Sequence, residues 1–216
     1  MKIDLVYLDL DGPILDVKNK YHHVHVSLCK ELGIITLLDR ELYWEKKRGK
    51  EPLSQILNLS SDDLKISIYK KRWLEEIERN TSMAWDEVHP FALGVLQYLK
   101  KKYQLHLITL RRNKKNTLEQ IEKFQLNRYF EERIYIIQQN GMSPHILKHE
   151  VIQATGATQE GSIFIGDTEV DILAAKLSGI LSVGVLSGIR NKKMMERIGP
   201  DFIVEDIRGL TRDVGL

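Results

Sequence analysis

One cysteine, Cys29, is all the thiol chemistry the sequence offers, so no disulfide can close within the chain. A reducing, cytoplasmic compartment is the expectation that follows. Charge of a single sign is scarce too. The 32 basic residues face 30 acidic ones, for a formal net charge of +2. Such a balance argues against a nucleic-acid binder. The basic clusters at 100–102 and 111–115 read as solvated helix ends. No apolar run approaches the ~20 residues that a membrane helix needs, so no membrane partner is expected. The opening MKIDLVYLDLDG meets acid too early for a secretory signal. Internal repeats and low-complexity segments are lacking as well.

What is present fits a soluble globular chain of 216 residues, enough for one core with a small appended domain. KIDLVYLDL reads as a buried strand. From about residue 17 to 80 the pattern is helical. NKYHHVHVSLCKELG stops at Gly33, and DRELYWEKKRG runs from an Asp39 N-cap to Gly49. SSDDLKISIYKKRWLEEIERN is capped by Ser60 or Ser61. These three helices predict a small bundle, residues 17–85, inserted after the first strand. From His89 onward, strands (QLHLITL, RIYIIQ, GSIFIGD, ILSVGVL, DFIVED) alternate with helices. The alternation predicts an α/β core, residues 1–16 and 86–216: a Rossmann-like parallel sheet flanked by helices.

Ligands of such sheets bind beyond the carboxyl ends of the strands. Three strand ends carry chemistry there. The first delivers Asp9 and Asp11, the second Thr109, and the fourth Asp167 followed by Asp171. Like charges at the end of a buried strand repel and resist desolvation. A hard divalent cation such as Mg2+, together with a substrate phosphate, would offset both costs. Asp9 could then attack phosphorus, and Asp11 could protonate the leaving oxygen and later deprotonate water. Thr109 would donate to a phosphoryl oxygen, and Gly12 would let the chain turn its amides toward the phosphate.

DLDGPIL, Thr109 within LITLRRN, and IGDTEVDILAAKLSG resemble the first, second and fourth motifs of the haloacid dehalogenase superfamily. The helical insertion resembles the cap of its phosphoglycolate phosphatase and β-phosphoglucomutase branch. The resemblance implies Asp9 as nucleophile and Asp11 as general acid–base. It implies Mg2+ held by Asp9, the backbone carbonyl of Asp11 and Asp167, with Asp171 supporting the metal. It places the phosphate against Gly12, Thr109 and Leu110. The third-motif lysine is missing from its usual place, which holds Met142 or Ser143. Lys148 lies about a turn further on. It either reaches the pocket or is a surface lysine on an amphipathic helix, and Arg111 and Arg112 are the alternative cations. In the insertion, KKRGKEPLSQIL resembles the loop with which related caps approach substrate, so Arg48 and Lys50 are candidate substrate contacts, with solvated charge as the rival reading. His22, His23 and His25 read as surface histidines, and Trp44, Trp73 and Trp85 as packing of the bundle.

The expectation is a Mg2+-dependent hydrolase of small phosphomonoesters working through an aspartyl-phosphate. Its partner would be a small phosphorylated metabolite; a homodimer is left open. Phosphoryl transfer, as in a phosphomutase, is the nearest rival. The dehalogenase reaction is disfavoured, because it resembles a site without the metal acids. The missing third-motif lysine is the ground for a third reading, a weakly active or non-catalytic binding protein.

Overall fold

Leu5–Leu8 forms β1, and its residues Val6, Tyr7 and Leu8 are fully buried. A strand covered on both faces belongs at the middle of a parallel sheet, and β1 lies there. The computed structural model describes residues 3–36, 38–138 and 141–216. After β1 come the short strands β2 (Leu15–Asp16) and β3 (Glu87–Val88), paired where the chain leaves and re-enters the core. The sheet continues with β4 (Gln104–Thr109), β5 (Ile134–Ile136), β6 (Ser162–Gly166), β7 (Leu181–Val185) and β8 (Phe202–Val204). Its order is β5-β4-β1-β6-β7-β8, and every pairing is parallel. The chain runs outward from β1 through β4 to β5, then crosses to the other side at β6. That reversal opens a crevice past the carboxyl ends of β1, β4 and β6.

Two units divide the chain: Met1–Asp16 with Val88–Leu216, and Val17–Glu87. The second holds α1 (Lys18–Glu31), α2 (Arg40–Arg48), α3 (Leu53–Leu57), α4 (Leu64–Glu76) and α5 (Asn80–Met83). Val24, Leu28, Leu57, Ile66 and Tyr69 pack its core. The first holds α6 (Ala92–Lys100), α7 (Lys114–Lys123), α8 (Asn127–Phe130), α9 (Pro144–Ala154), α10 (Glu169–Ser178) and α11 (Lys192–Ile198). The return boundary at Val88 lies two residues past the expected 86. Asp86 stays with the helical unit because its Oδ2 takes a buried 2.9 Å hydrogen bond from Lys20 on α1.

Several local expectations change. Asp63, not Ser60 or Ser61, caps α4: its carboxylate accepts the Lys65 amide at 2.8 Å, while Ser60 donates to Asp62. His25 is fully buried, contrary to the surface reading. It stacks on Tyr43 at 4.2 Å and bonds the Tyr69 hydroxyl at 3.0 Å. Trp85 is half exposed and stacks on His23, so it does not pack the bundle as Trp44 does.

His106 on β4 is the oddest residue of the main core. It sits between Tyr7 and Tyr135, 96% hidden from solvent, and neither ring nitrogen has a hydrogen-bond partner among the described residues. Burial, reinforced by Arg133, pushes its pKa down to about 4. The folded protein therefore keeps His106 neutral down to about pH 4, while the unfolded chain protonates it near its ordinary value of about 6.5. Between those values the unfolded state binds more protons, so this residue costs stability as pH falls from 6.5 toward 4. His106→Leu should gain about 1–2 kcal/mol relative to the parent chain on going from pH 7.5 to pH 5. Urea unfolding of both proteins at the two pH values checks this, since every other titrating group cancels in the comparison. An unchanged difference would contradict it.

Candidate active site

Asp9 follows β1 directly. Its amide still pairs with the Ile165 carbonyl at 3.0 Å, which carries the sheet one residue past the strand. Its Oδ1 accepts the Leu10 amide at 2.8 Å and lies 3.1 Å from Lys148 Nζ. These two donors fix the direction of the carboxylate. Gly12 then turns the chain at φ +90°, and a Cβ there would meet Asp167 Cγ at 2.4 Å. Only glycine suits that position. Its carbonyl accepts from Ser187 Oγ at 2.8 Å and is 3.1 Å from His89 Nε2, so the turn is held from two sides.

Across the crevice, β6 hands over to α10. Thr168 begins the helix, and Asp171 sits three residues on, the spacing of a capping box. Asp171 Oδ2 accepts from the Thr168 amide at 3.0 Å, Thr168 Oγ1 at 2.8 Å and the Asp167 amide at 3.2 Å. Its Oδ1 accepts from Lys148 at 2.6 Å. Gly166 makes this possible, because a Cβ there would lie 2.2 Å from Asp171 Cβ. Asp167 in turn accepts the Ile189 amide on Oδ2 at 2.6 Å, from the loop after β7.

Lys148 is 1% exposed and is no surface lysine. Pro144 starts α9, and the lysine stem runs past the Phe164 ring, with Nζ 5.4 Å from its centroid, to reach Asp9 and Asp171. Thr109, also buried, ends β4, the strand beside β1, with Leu110 half-buried just beyond it. Arg111 turns to Asp11. Nε donates to Oδ2 at 3.0 Å, Nη2 donates to Oδ1, and Nη1 donates to Gln120 Oε1 at 2.6 Å. Arg112 is exposed. Arg48 and Lys50 belong to the helical unit, where Arg48 pairs with Glu45 at 3.4 Å and Lys50 is exposed at φ +56°. Sequence reasoning overlooked Thr168, Ser187, His89 and the Ile189 amide. The capping-box spacing of Thr168 and Asp171 was a usable signal; a backbone amide leaves none.

One oxygen each from Asp9, Asp167 and Asp171 falls within 4.8 Å of the others. Burial raises Asp9 to about 7, with Lys148 opposing the rise and Asp171 and Asp11 adding to it. Burial, then Asp171 and Asp9, hold Asp167 well above the usual carboxylate range. Burial works against the charge of Lys148, but Asp171 and Asp9 keep its ammonium above its ordinary value. When all four carboxyls (Asp9, Asp11, Asp167, Asp171) are ionised, they exceed the two cations (Lys148, Arg111) by two negative charges. An all-oxygen donor set with that excess fits a hard divalent cation. Asp171 has hydrogen bonds on both oxygens, so Asp9 and Asp167 are the acids suited to touch the ion directly.

Fold and site together define an α/β protein with an acid cluster at the carboxyl edge of its parallel sheet. Residues 6–185 match the family described as haloacid dehalogenase-like hydrolase, and the chain belongs to that family. The sequence is similar to a putative pyrophosphatase PpaX of Caldanaerobacter subterraneus subsp. tengcongensis, 24% identical over 96% of this chain and 92% of that protein. It is also similar to a probable phosphoglycolate phosphatase of Pseudomonas putida, 29% identical over 57% of this chain; the match spans about half of that relative, 49%. Among solved structures, a haloacid dehalogenase-like hydrolase from Streptococcus pneumoniae superposes with a TM-score of 0.73 at 20% identity, over 97% of both chains. A putative β-phosphoglucomutase from Thermotoga maritima gives 0.67 at 20% identity, over 98% of both. These two likenesses establish the fold. No described helix is long and apolar enough to cross a membrane.

Gly188 tests the acid cluster without removing a charge. A Cβ there would lie 2.1 Å from Asp167 Oδ2, so Gly188→Ala must displace that carboxylate. Mg2+ should raise the melting temperature of the parent chain, and in Gly188→Ala that rise should be lost or should need at least ~10-fold more Mg2+, through the binding linkage. An identical Mg2+ titration of both proteins would contradict this placement of Asp167.

Proposed function

We propose that the chain is a phosphatase, a Mg2+-dependent hydrolase of small phosphomonoesters that works through an aspartyl-phosphate on Asp9. The observation that carries the reading is the buried bridge Asp9–Lys148–Asp171 beside Asp167. Names of relatives in the phosphatase and pyrophosphatase classes agree with it. Asp9 and Asp167 would hold the ion, with the Asp11 carbonyl. When bound, it would supply charge neutralisation for a carboxylate facing a phosphate dianion.

The residues of the chain then divide the chemistry. Asp9 attacks phosphorus, and the bond from phosphorus to the ester oxygen breaks. Asp11 gives its proton to the departing alkoxide. Water next attacks the phosphorus of the aspartyl-phosphate while Asp11 takes the water's proton, and the bond to Asp9 breaks to free phosphate. Lys148 holds Asp9 in direction and offsets its charge, while Asp171 holds Lys148. Thr109 and the Leu110 amide receive the phosphoryl oxygens; the turn at Gly12 supplies none, because Pro13 has no N–H and the Ile14 and Leu15 amides donate to the Leu10 carbonyl. Substrate choice is assigned to the helical unit, where no member of the acid cluster resides, with Arg48 and Lys50 as contacts. The weakly active reading rested on a missing third-motif cation. The buried ammonium of Lys148 supports the catalytic reading instead.

Release of phosphate from p-nitrophenyl phosphate, with and without Mg2+, tests this. Asp9→Asn should abolish turnover with the fold retained. Lys148→Met keeps the stem beside Phe164 and should lower kcat at least ~100-fold, the scale of losing one strong electrostatic contact. Turnover in Asp9→Asn, or a Lys148→Met effect below about twofold, would reject the assignment.

A further inference from the structure

We infer that Arg111 is a positioning residue that, with Gln120, fixes the carboxylate of Asp11 for proton transfer. The inference rests on the reading of Asp11 as the acid–base. Lys148 serves Asp9 and Asp171; the second buried cation of the site is thereby assigned to the second acid.

The geometry is that of a fork. Arg111 is 4% exposed, and two of its nitrogens address the two oxygens of Asp11. Two parallel contacts from a planar group fix both the place and the rotation of a carboxylate, which a single ammonium contact cannot do. The fork is itself held. Gln120, buried on α7, accepts from Nη1 at 2.6 Å. The short loop that carries Arg111 is tied down by the next helix: Asn113 caps α7 by accepting the Asn116 amide at 3.0 Å, and Thr117 Oγ1 donates to the Asn113 carbonyl at 2.8 Å. Gln138 Nε2 approaches the Arg111 carbonyl at 3.4 Å. With three donors engaged on Asp11 and Gln120, Arg111 is turned to the acid rather than to the phosphate expected from its place after Thr109. Asp11 follows a strand end and precedes the Gly12 turn. An acid on such a turn gains its direction from a rigid partner, and proton transfer depends on that direction.

Leaving groups separate the roles. Alkyl phosphates need a proton on the departing oxygen, whereas p-nitrophenolate departs without one. Both esters present the same phosphoryl group. Arg111→Lys keeps the charge but loses the fork, so kcat/KM for an alkyl phosphate such as ethyl phosphate should fall ~100-fold, the lower range for general acid–base catalysis. With p-nitrophenyl phosphate it should fall less than about threefold. Equal losses on both esters, or none on either, would overturn the inference. If Arg111→Lys fails to fold by circular dichroism, Gln120→Met replaces it and should show the same asymmetry at roughly tenfold; its absence overturns the inference as well. A crystal structure of the folded variant gives a readout independent of turnover. The Asp11 carboxylate should have rotated away from its present direction, and an unmoved carboxylate is a contrary result. If the parent chain hydrolyses neither ester, the proposed function fails, and the crystallographic result alone decides whether Arg111 positions Asp11.

Discussion

A single buried ammonium holds the site together. Lys148 Nζ lies 2.6 Å from Asp171 and 3.1 Å from Asp9, and it joins α9 to the starts of two routes out of the sheet. Removing one partner from such a buried pair typically costs about 3–5 kcal/mol, because the remaining charge has no answer. The surroundings show the same constraint. Asp171 can receive Lys148 only because Thr168 and the Asp167 amide hold its other oxygen. It can sit where it does only because position 166 has no side chain. Gly12 and Gly188 clear the same kind of space around Asp167. Three glycines, one ending β6 and two on loops, are thus explained by two carboxylates.

The electrostatics follow from that packing. One ammonium and one guanidinium cannot neutralise four ionised carboxylates, and burial raises the cost of the remainder. Burial and the neighbouring acids hold Asp9 and Asp167 above the usual carboxylate range. Acids whose charged forms are disfavoured by burial and by one another are the groups that a divalent ion would stabilise. The family membership and the two-unit layout agree with such a site without specifying a substrate.

Much of this was legible in the sequence because it depends on spacing along strands. Asp9 and Asp167 end strands that sit side by side, and strict strand–helix alternation forces those ends to one edge. The parallel sheet is the one that alternation predicts. Lys148 was only half legible. A lysine stem is long, so one turn of displacement along α9 can be absorbed by the side chain, and sequence pattern does not reveal which way a helix face turns. Arg111 was legible as a cation near the site but not as the partner of Asp11, because that pairing spans 100 positions and depends on Gln120 as well. His25 misled for a simpler reason. Histidine patterns like a polar residue, yet here its ring packs as an aromatic between Tyr43 and Tyr69. Asp63 took the cap of α4 from the serines because its carboxylate reaches the Lys65 amide.

The central claim is that Asp9 is the nucleophile of a cation-assisted phosphoryl site. A crystal grown with saturating Mg2+ and beryllium fluoride examines it directly, because the fluoride adduct imitates a phosphoryl group on a carboxylate. The account predicts the adduct on a carboxylate oxygen of Asp9, with Mg2+ between Asp9 and Asp167 at ~2.1 Å from its oxygens. An adduct on Asp11 or elsewhere, or an acid cluster that takes no metal at saturation, would contradict it.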